Sequence, residues 1–308
     1  MSFTTNVKDE ICKRPSTSSE QISFLSGFFR NNARYKVDKI NLFTENNNIK
    51  ECVIKLTEEL YDVKVSLEER TGLNFSKASL FILEITNKVR FILENLCVVD
   101  DSFNYIEMPP RYLVDGNEEM RAYLRGVFLS RGSINNPSKS YHLEFLIDEA
   151  MEAVFVQKLL NDFDLNAKIL TREKGYMLYI KEADKISDFL KLLCANNAVM
   201  AFENIRVYRS EKNSVNRLNN CEQANMNKIV QTANEQIGYI KVLKDNMADN
   251  LLDDKTKEAL EYRVKYPDAS LNELSEIISL ETGHKITKSG LNHRFRKVKE
   301  LAFSFLNE

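Results

Sequence analysis

Apolar residues recur at helical spacing in two related stretches about a hundred residues apart, the separation expected of an internal duplication. In the stretch Tyr123-Leu124-Arg125-Gly126-Val127-Phe128-Leu129-Ser130-Arg131-Gly132-Ser133, the residues Leu124, Val127 and Phe128, with Met120 just before, share one helical face. Earlier, Phe24-Leu25-Ser26-Gly27-Phe28-Phe29-Arg30-Asn31-Asn32-Ala33 repeats the leucine, the glycine two on and the two large apolar residues after it. Gly27 and Gly126 sit inside the apolar pattern, where glycine destabilises a helix by roughly 1 kcal/mol against alanine. Such a glycine has a use where another backbone comes very close, so the expected arrangement packs the two helices at Gly27 and Gly126. That contact makes the axis of a two-fold pseudo-symmetric domain. Either helix alone is read more simply as an ordinary amphipathic helix with a chance glycine. Gly132 is placed to end its helix as a left-handed cap.

The text downstream of each stretch favours the duplication. After Ala33, Tyr35 to Phe43 alternates as strand around a turn, and Asn47 to Tyr61 is an amphipathic helix on Ile49, Val53, Leu56 and Leu60. Val63 to Leu67 and Ala78 to Ile85 read as strands joined around Thr71-Gly72, with Val63, Val65 and Leu67 on one face. Val89 to Val98 is a further helix, so the first half reads α-β-β-α-β-β-α. The second half repeats that order. Ser133-Ile134 leads into a turn at Asn135-Asn136-Pro137, followed by a strand at Tyr141 to Ile147 and a helix at Glu149 to Phe163. Strands at Ala167 to Leu170 and Tyr176 to Ile180 and a helix at Ala183 to Cys194 complete it. Tyr61-Asp62-Val63-Lys64-Val65 matches Phe163-Asp164-Leu165-Asn166-Ala167, and Phe91 to Cys97 resembles Phe189 to Cys194. Residues 1–16 read as a short N-terminal arm, with Ser18 and Ser19 placed to cap the first motif helix. The duplicated domain then spans residues 17–205.

Around Arg206 the composition changes. Asn213 to Lys228 is polar and rich in asparagine, then grades into a helix with Met226, Ile229, Ala233, Ile237 and Ile240 on one stripe. Residues 206–250 read as a polar linker and connecting helix, in preference to a surface whose asparagine and arginine side chains contact phosphates or a partner. Residues 251–308 form a small all-helical unit. Lys255 to Tyr266 is one helix, stopped by Tyr266-Pro267. Ser270-Leu271-Asn272-Glu273 is a capping box for a second helix buried on Leu271, Leu274, Ile277 and Ile278 and broken by Gly283. A third helix starts near Ser289, with Leu291, Phe295, Val298 and Ala302 as its core stripe. Ser289, His293 and Arg296 then point outward, with Asn292 and Lys297 on the flanks.

Between Lys285 and Lys299 lie Lys285, Lys288, Arg294, Arg296, Lys297 and Lys299, with no acid. A local cationic face on a chain of net charge −2 is what neutralising a DNA backbone requires. Arginine and asparagine pair bidentately with guanine and adenine edges, and residues near the start of a recognition helix reach bases. The expected base-edge set is Ser289, Asn292, His293 and Arg296, and the expected phosphate set is Lys285, Lys288, Arg294, Lys297 and Lys299. This is a helix-turn-helix reading with a turn, Glu281 to Thr287, longer than the tight form. The competing reading is a basic solvated helix in a three-helix bundle that binds protein.

Cys12, Cys52, Cys97, Cys194 and Cys221 are scattered, without a C-x-x-C pair, and read as reduced, mostly buried thiols in a cytoplasmic protein. No metal site or cofactor is expected, since the only histidines are His142, His284 and His293. The N-terminal residues lack the apolar core of a signal peptide, and no apolar run is long enough to span a bilayer, so no membrane association is expected.

The two glycine-centred stretches resemble the paired LAGLIDADG motifs of monomeric homing endonucleases. In that family the motif helices pack at small residues, and the acid before the final glycine binds the catalytic metal. Laying the motif on this chain puts Asn32 and Arg131 at the acid positions. Neither is an acid, and a hard divalent cation takes oxygen ligands, usually carboxylate. The resemblance thus implies a kept scaffold and a lost nuclease, with no catalytic residue. The sheets of such proteins form a saddle whose concave side faces DNA, yet Lys64, Glu68, Glu69 and Arg70 are mixed in sign, a poor footprint for phosphate.

The full order is an α+β fold: a degenerate, duplicated LAGLIDADG-like αββαββα saddle domain, an Asn-Ser-Val-Asn-Arg linker, and an all-α helix-turn-helix carrying Lys288-Ser289-Gly290-Leu291-Asn292-His293-Arg294. It resembles the WhiA family of bacterial sporulation and cell-division regulators over nearly the full chain. The strongest tokens are Asn213 to Leu218, Cys221-Glu222, Tyr141-His142-Leu143-Glu144 and Ser289 to Arg294. The resemblance implies sequence-specific transcription regulation at promoters, double-stranded DNA as partner, and an RNA polymerase sigma factor or another regulator as a further partner. It implies a cytoplasmic, nucleoid-associated location and no nuclease activity. Arg131 departs from the family, where a small residue is more usual. The alternatives are a nucleoid protein without sequence preference and, less favoured, an endonuclease using Glu144 and Asp148 as substitute acids.

Overall fold

A computed structural model describes residues 2–14, 16–71 and 79–306. The chain divides into two compact units, residues 1–210 and 211–308.

The first unit is built twice over. Its first half runs α2 (Ser18–Asn32), β1 (Arg34–Tyr35), β2 (Ile40–Thr44), α3 (Asn47–Tyr61), β3 (Ser66–Arg70), β4 (Leu80–Ile85) and α4 (Val89–Asn95), after a leading helix α1 (Phe3–Ile11). The second half runs α5 (Asn117–Arg131), β5 (Gly132–Ile134), β6 (Leu143–Ile147), α6 (Ala150–Asp162), β7 (Lys168–Thr171), β8 (Tyr176–Ile180) and α7 (Ala183–Leu192). Each half makes a four-stranded antiparallel sheet, ordered β1-β2-β4-β3 and β5-β6-β8-β7. The identical order is the structural form of the duplication. Backbone strain repeats as well: Asp62 (φ 49°) and Asp164 (φ 57°) both turn left-handed after a helix, as do Cys97 (φ 53°) and Cys194 (φ 58°). Non-glycine residues adopt that region uncommonly, so its recurrence at the matched sequence positions ties the two halves together.

The paired helices α2 and α5 form the centre. Leu25, Phe28, Phe29, Tyr123, Leu124, Val127 and Phe128 are all buried. A Cβ on Gly27 would lie 2.4 Å from the Tyr123 carbonyl oxygen, and one on Gly126 only 2.0 Å from the Phe24 carbonyl oxygen. The backbones therefore touch where the side chains are missing.

Several local expectations are corrected. The arm read at residues 1–16 contains a packed helix: Val7 and Ile11 of α1 are buried in the core, and Ser2 caps it through the Thr5 amide. Thr17, not Ser18 or Ser19, caps α2, because its hydroxyl accepts from the Glu20 amide. Gly132 is not a left-handed cap; it is extended (φ −84°, ψ 146°) and opens β5. Its missing side chain makes room for the Phe128 ring, which a Cβ would meet at 2.1 Å. The strand expected from Val63 starts at Ser66, with Val65 turned into the core and Leu67 exposed. The expected connection at Gly72 and strand start at Ala78 lie outside the described residues.

The asparagine-rich stretch is helical, being part of α8 (Asn196–Asp245). In the second unit it is followed by α9 (Asp254–Lys265), α10 (Leu271–Thr282) and α11 (Lys288–Leu306) around a separate core of Ile240, Leu243, Leu260, Leu274, Ile278, Leu291, Phe295 and Val298.

Candidate nucleic-acid interface

The local sequence fixes α10 and α11. Ser270 Oγ accepts from the Glu273 amide while Glu273 accepts from the Ser270 amide, closing the capping box. Gly283, left-handed at φ 71°, ends α10. Ser279 Oγ then accepts from the Ile286 amide at 3.0 Å and pins the turn. Thr287 caps α11: its hydroxyl accepts from the Gly290 amide and its carbonyl from the Leu291 amide. Leu291, Phe295, Val298 and Ala302 are buried, which turns the other face to solvent.

Ser289, Asn292, His293 and Arg296 are all exposed on that face. Arg296 makes only a loose exposed ion pair with Glu300 at 3.6 Å. Lys285, Lys288 and Lys297 are exposed too. Lys299 extends over the rings of Tyr239 and Phe303. Arg294 is placed differently from the other cations: half-buried, it donates to the Lys255 carbonyl at 2.8 Å. Asp253 faces this end of the helix. Its carboxyl is held below the usual range by the Thr256 hydroxyl first, with Lys297 and Arg294 adding to the effect.

The first unit carries the other candidate centre, at the feet of α2 and α5. Asn32 holds the backbone of Phe43 in both directions, its Nδ2 donating to the carbonyl at 2.9 Å and its Oδ1 accepting from the amide at 2.7 Å. Arg131 donates to the Asn31 carbonyl and to Asp148, both at 2.6 Å. A cavity of about 380 Å³ there is lined by Arg30, Arg34, Arg131, Asp148 and Glu152 among others. The donors do not suit the divalent metal of the LAGLIDADG nucleases: one acid position holds an amide fully used by a strand, and the other holds a cation. Glu144, the other substitute-acid candidate, accepts from Ser133 and pairs with His142 instead. Among the described residues no group of three potential ligands surrounds a metal-sized site.

Sequence reasoning missed the buried network beside this foot. Arg30 Nε lies 2.7 Å from Glu152, both side chains shut off from solvent. Glu152 also accepts from Tyr123 Oη at 2.5 Å and Asn31 Nδ2 at 3.1 Å. Burial pushes the Tyr123 phenol far up, with the Glu152 charge adding to it. The signal was present, since Glu152 shares a helical face with Val156 and Leu159.

The open face of the first sheet carries two ion pairs. Arg70 pairs with Glu68 at 2.7 Å and Lys39 with Glu84 at 3.2 Å. Leu146 and Leu170 are exposed on the second sheet. Among the described residues the exposed charges of the first sheet are of both signs, a poor track for phosphate neutralisation.

Comparison with known proteins gives three family matches: the WhiA N-terminal LAGLIDADG-like domain over residues 18–99, the WhiA LAGLIDADG-like domain over 120–212, and the WhiA C-terminal HTH domain over 215–302. A protein of Bacillus cytotoxicus named "Probable cell division protein WhiA" is 39% identical over 307 residues, covering 98% of this chain and 96% of that protein. One of Bacillus cereus with the same name is 40% identical over 309 residues, with the same coverage, 98% and 96%. The crystal structure of full-length WhiA from Thermatoga maritima matches over 99% of both chains, with a TM-score of 0.59 and 24% identity. The fold, a LAGLIDADG-like domain followed by a helical HTH region, is thereby shared.

Proposed function

The chain belongs to the WhiA family, and from that premise we propose that it is a sequence-specific transcription regulator that reads promoter DNA through α11 and has no nuclease activity. The observation that carries the reading is the solvent face of α11. Ser289, Asn292, His293 and Arg296 stand exposed on a helix anchored by its buried stripe, and Lys285, Lys288 and Lys297 surround them. Exposed arginine and asparagine read base edges, and the lysines neutralise phosphates. The name carried by the Bacillus relatives supports a role in cell division. The absence of any described helix long and apolar enough to cross a membrane is compatible with action at the nucleoid.

The test is capture of sheared genomic DNA by the purified full-length protein, in magnesium and near-physiological salt, followed by sequencing. Enrichment at a few upstream sites without new DNA ends supports the regulator. Arg296→Ala should relax base preference, at about 1–3 kcal/mol for the affected position, while Lys288→Ala should weaken all sequences and reduce the salt slope by about one. Uniform recovery means a nucleoid-coating protein, and new cut ends mean that Asn32 and Arg131 have been misjudged.

A further inference from the structure

Within the second unit, every residue of α8 from 211 to 228 is helical and exposed. Among the described residues this segment makes no ion pair, and its one side-chain hydrogen bond is a long contact from Asn225 to Cys221 at 4.0 Å. Its composition suits an isolated helix poorly. Asn213, Asn216, Asn219, Asn220, Asn225 and Asn227 all lie in it, and asparagine competes for the backbone's own hydrogen bonds. An exposed helix without supporting pairs needs a partner to hold it.

The side chains say what partner. At 100° per residue, Asn213, Asn216, Asn220, Gln223 and Asn227 fall within an arc of about 80°. Lys212 lies on one flank of that arc and Arg217 and Lys228 on the other. The segment's acids, Glu211 and Glu222, sit about 140–160° from its centre. The face is thus a ladder of amides between cations, free of carboxylate. We propose that this face is a second DNA-contacting surface, lying in the major groove with its amides toward base edges and its cations toward phosphates. The proposal rests on the reading of the protein as DNA-binding.

The dimensions fit. From Asn213 to Asn227 the helix extends about 21 Å, and the major groove, about 12 Å wide, admits an α-helix. Asn and Gln pair bidentately with adenine. The cationic flank continues at Lys228, which shares a cavity of about 410 Å³ with Lys288 and Arg263, and no carboxylate lines it. Arg263 is only 1% exposed, and its Nε has no hydrogen-bond partner.

The experiment uses the full-length protein and a duplex selected by it from genomic DNA. The triple variant Asn216→Ala, Asn220→Ala, Gln223→Ala keeps or raises helix content, since alanine is the better helix former; circular dichroism checks this. Binding should weaken at least tenfold at fixed salt, and hydrogen exchange at 211–228 in the wild type should slow when DNA is added. If Arg296→Ala impairs binding while the triple variant binds as tightly as wild type, this inference falls and the α11 reading stands. If the wild type binds no duplex, both fall. Protection of 211–228 that depends on protein concentration without DNA would mean that a second copy covers the segment through Val215, Leu218 and Met226, and tighter binding to RNA than to duplex would likewise overturn the assignment.

Discussion

Gly126→Ala is the sharpest perturbation of the central helix pair. In an open helix the change stabilises by about 1 kcal/mol. Gly238 is the internal reference, because a Cβ there meets nothing within 4 Å. At Gly126 the new Cβ would sit 2.0 Å from the Phe24 carbonyl oxygen and 2.8 Å from the Phe28 amide nitrogen, where real Cβ atoms essentially never come within 3.0 Å. Both are backbone atoms of α2, which cannot rotate out of the way. The two helices must part by on the order of 1 Å, and a gap of that size forfeits about a quarter to a half of each dispersion contact across it. The residues facing the gap include Phe28, Tyr123 and Val127, all at most 1% exposed. Overpacking typically costs about 1–3 kcal/mol, and two rigid backbones belong at or above the top of that range. After the propensity gain, a net loss of about 2–4 kcal/mol is expected. The assay is urea unfolding followed by circular dichroism and tyrosine fluorescence, the chain having no tryptophan. Two compact units call for a fit with two transitions. The loss should fall on the first unit alone, while Gly238→Ala should stabilise the second by about 0.5–1 kcal/mol. Equal signs for the two variants would refute the close crossing.

Other consequences follow from the same geometry. Glu152→Ala leaves Arg30 buried without its carboxylate and should destabilise the first unit by about 3–5 kcal/mol, read by the same unfolding curves. Ser270→Ala removes one arm of the capping box and should cost the second unit about 1 kcal/mol. Burial lowers the Lys8 ammonium to about 8 from 10.5. The unfolded chain therefore holds more protons between those values, and stability rises with pH from about 8 to 10.5. Lys8→Met should be more stable at pH 7, with the advantage shrinking as pH rises through that window; a constant difference would show that Lys8 is not the group. Asn32→Asp with Arg131→Asp should restore no magnesium-dependent cleavage of plasmid DNA and should lower stability, because aspartate cannot donate to the Phe43 carbonyl.

The duplication, the repeated sheets and the capped helices of the second unit were legible because they are local or periodic. Leu291, Phe295, Val298 and Ala302 had to be buried if α11 formed at all, and they are. What escaped was set by tertiary partners. Gly132 looked like a helix cap, yet the Phe128 ring decides its conformation. Arg294 looked like one more solvent cation, yet the Lys255 carbonyl of a neighbouring helix claims it. The stretch from Asn213 reads as linker on composition, since nothing in a single sequence announces that a run of asparagines is helical and uncovered.

Asn32 and Arg131 tie together the foot at which the LAGLIDADG nucleases place an ion. Two carboxylates at that crossing would repel each other unless a cation sat between them. Here one position is an uncharged amide that clips α2 to β2 through Phe43. The other supplies the cation covalently: Arg131 reaches the Asn31 carbonyl at the C-terminal end of α2, where a positive charge complements the helix dipole, and so ties the end of one motif helix to the other. The Arg30–Glu152 pair closes the interior side of the same junction. The side chains of Asn32 and Arg131 are thus engaged in holding the helices, and on the first sheet Arg70 pairs with Glu68 and Lys39 with Glu84. Under the proposed function, the exposed cations and amides that would meet DNA are those of α11 and of the exposed turns of α8 in the second unit.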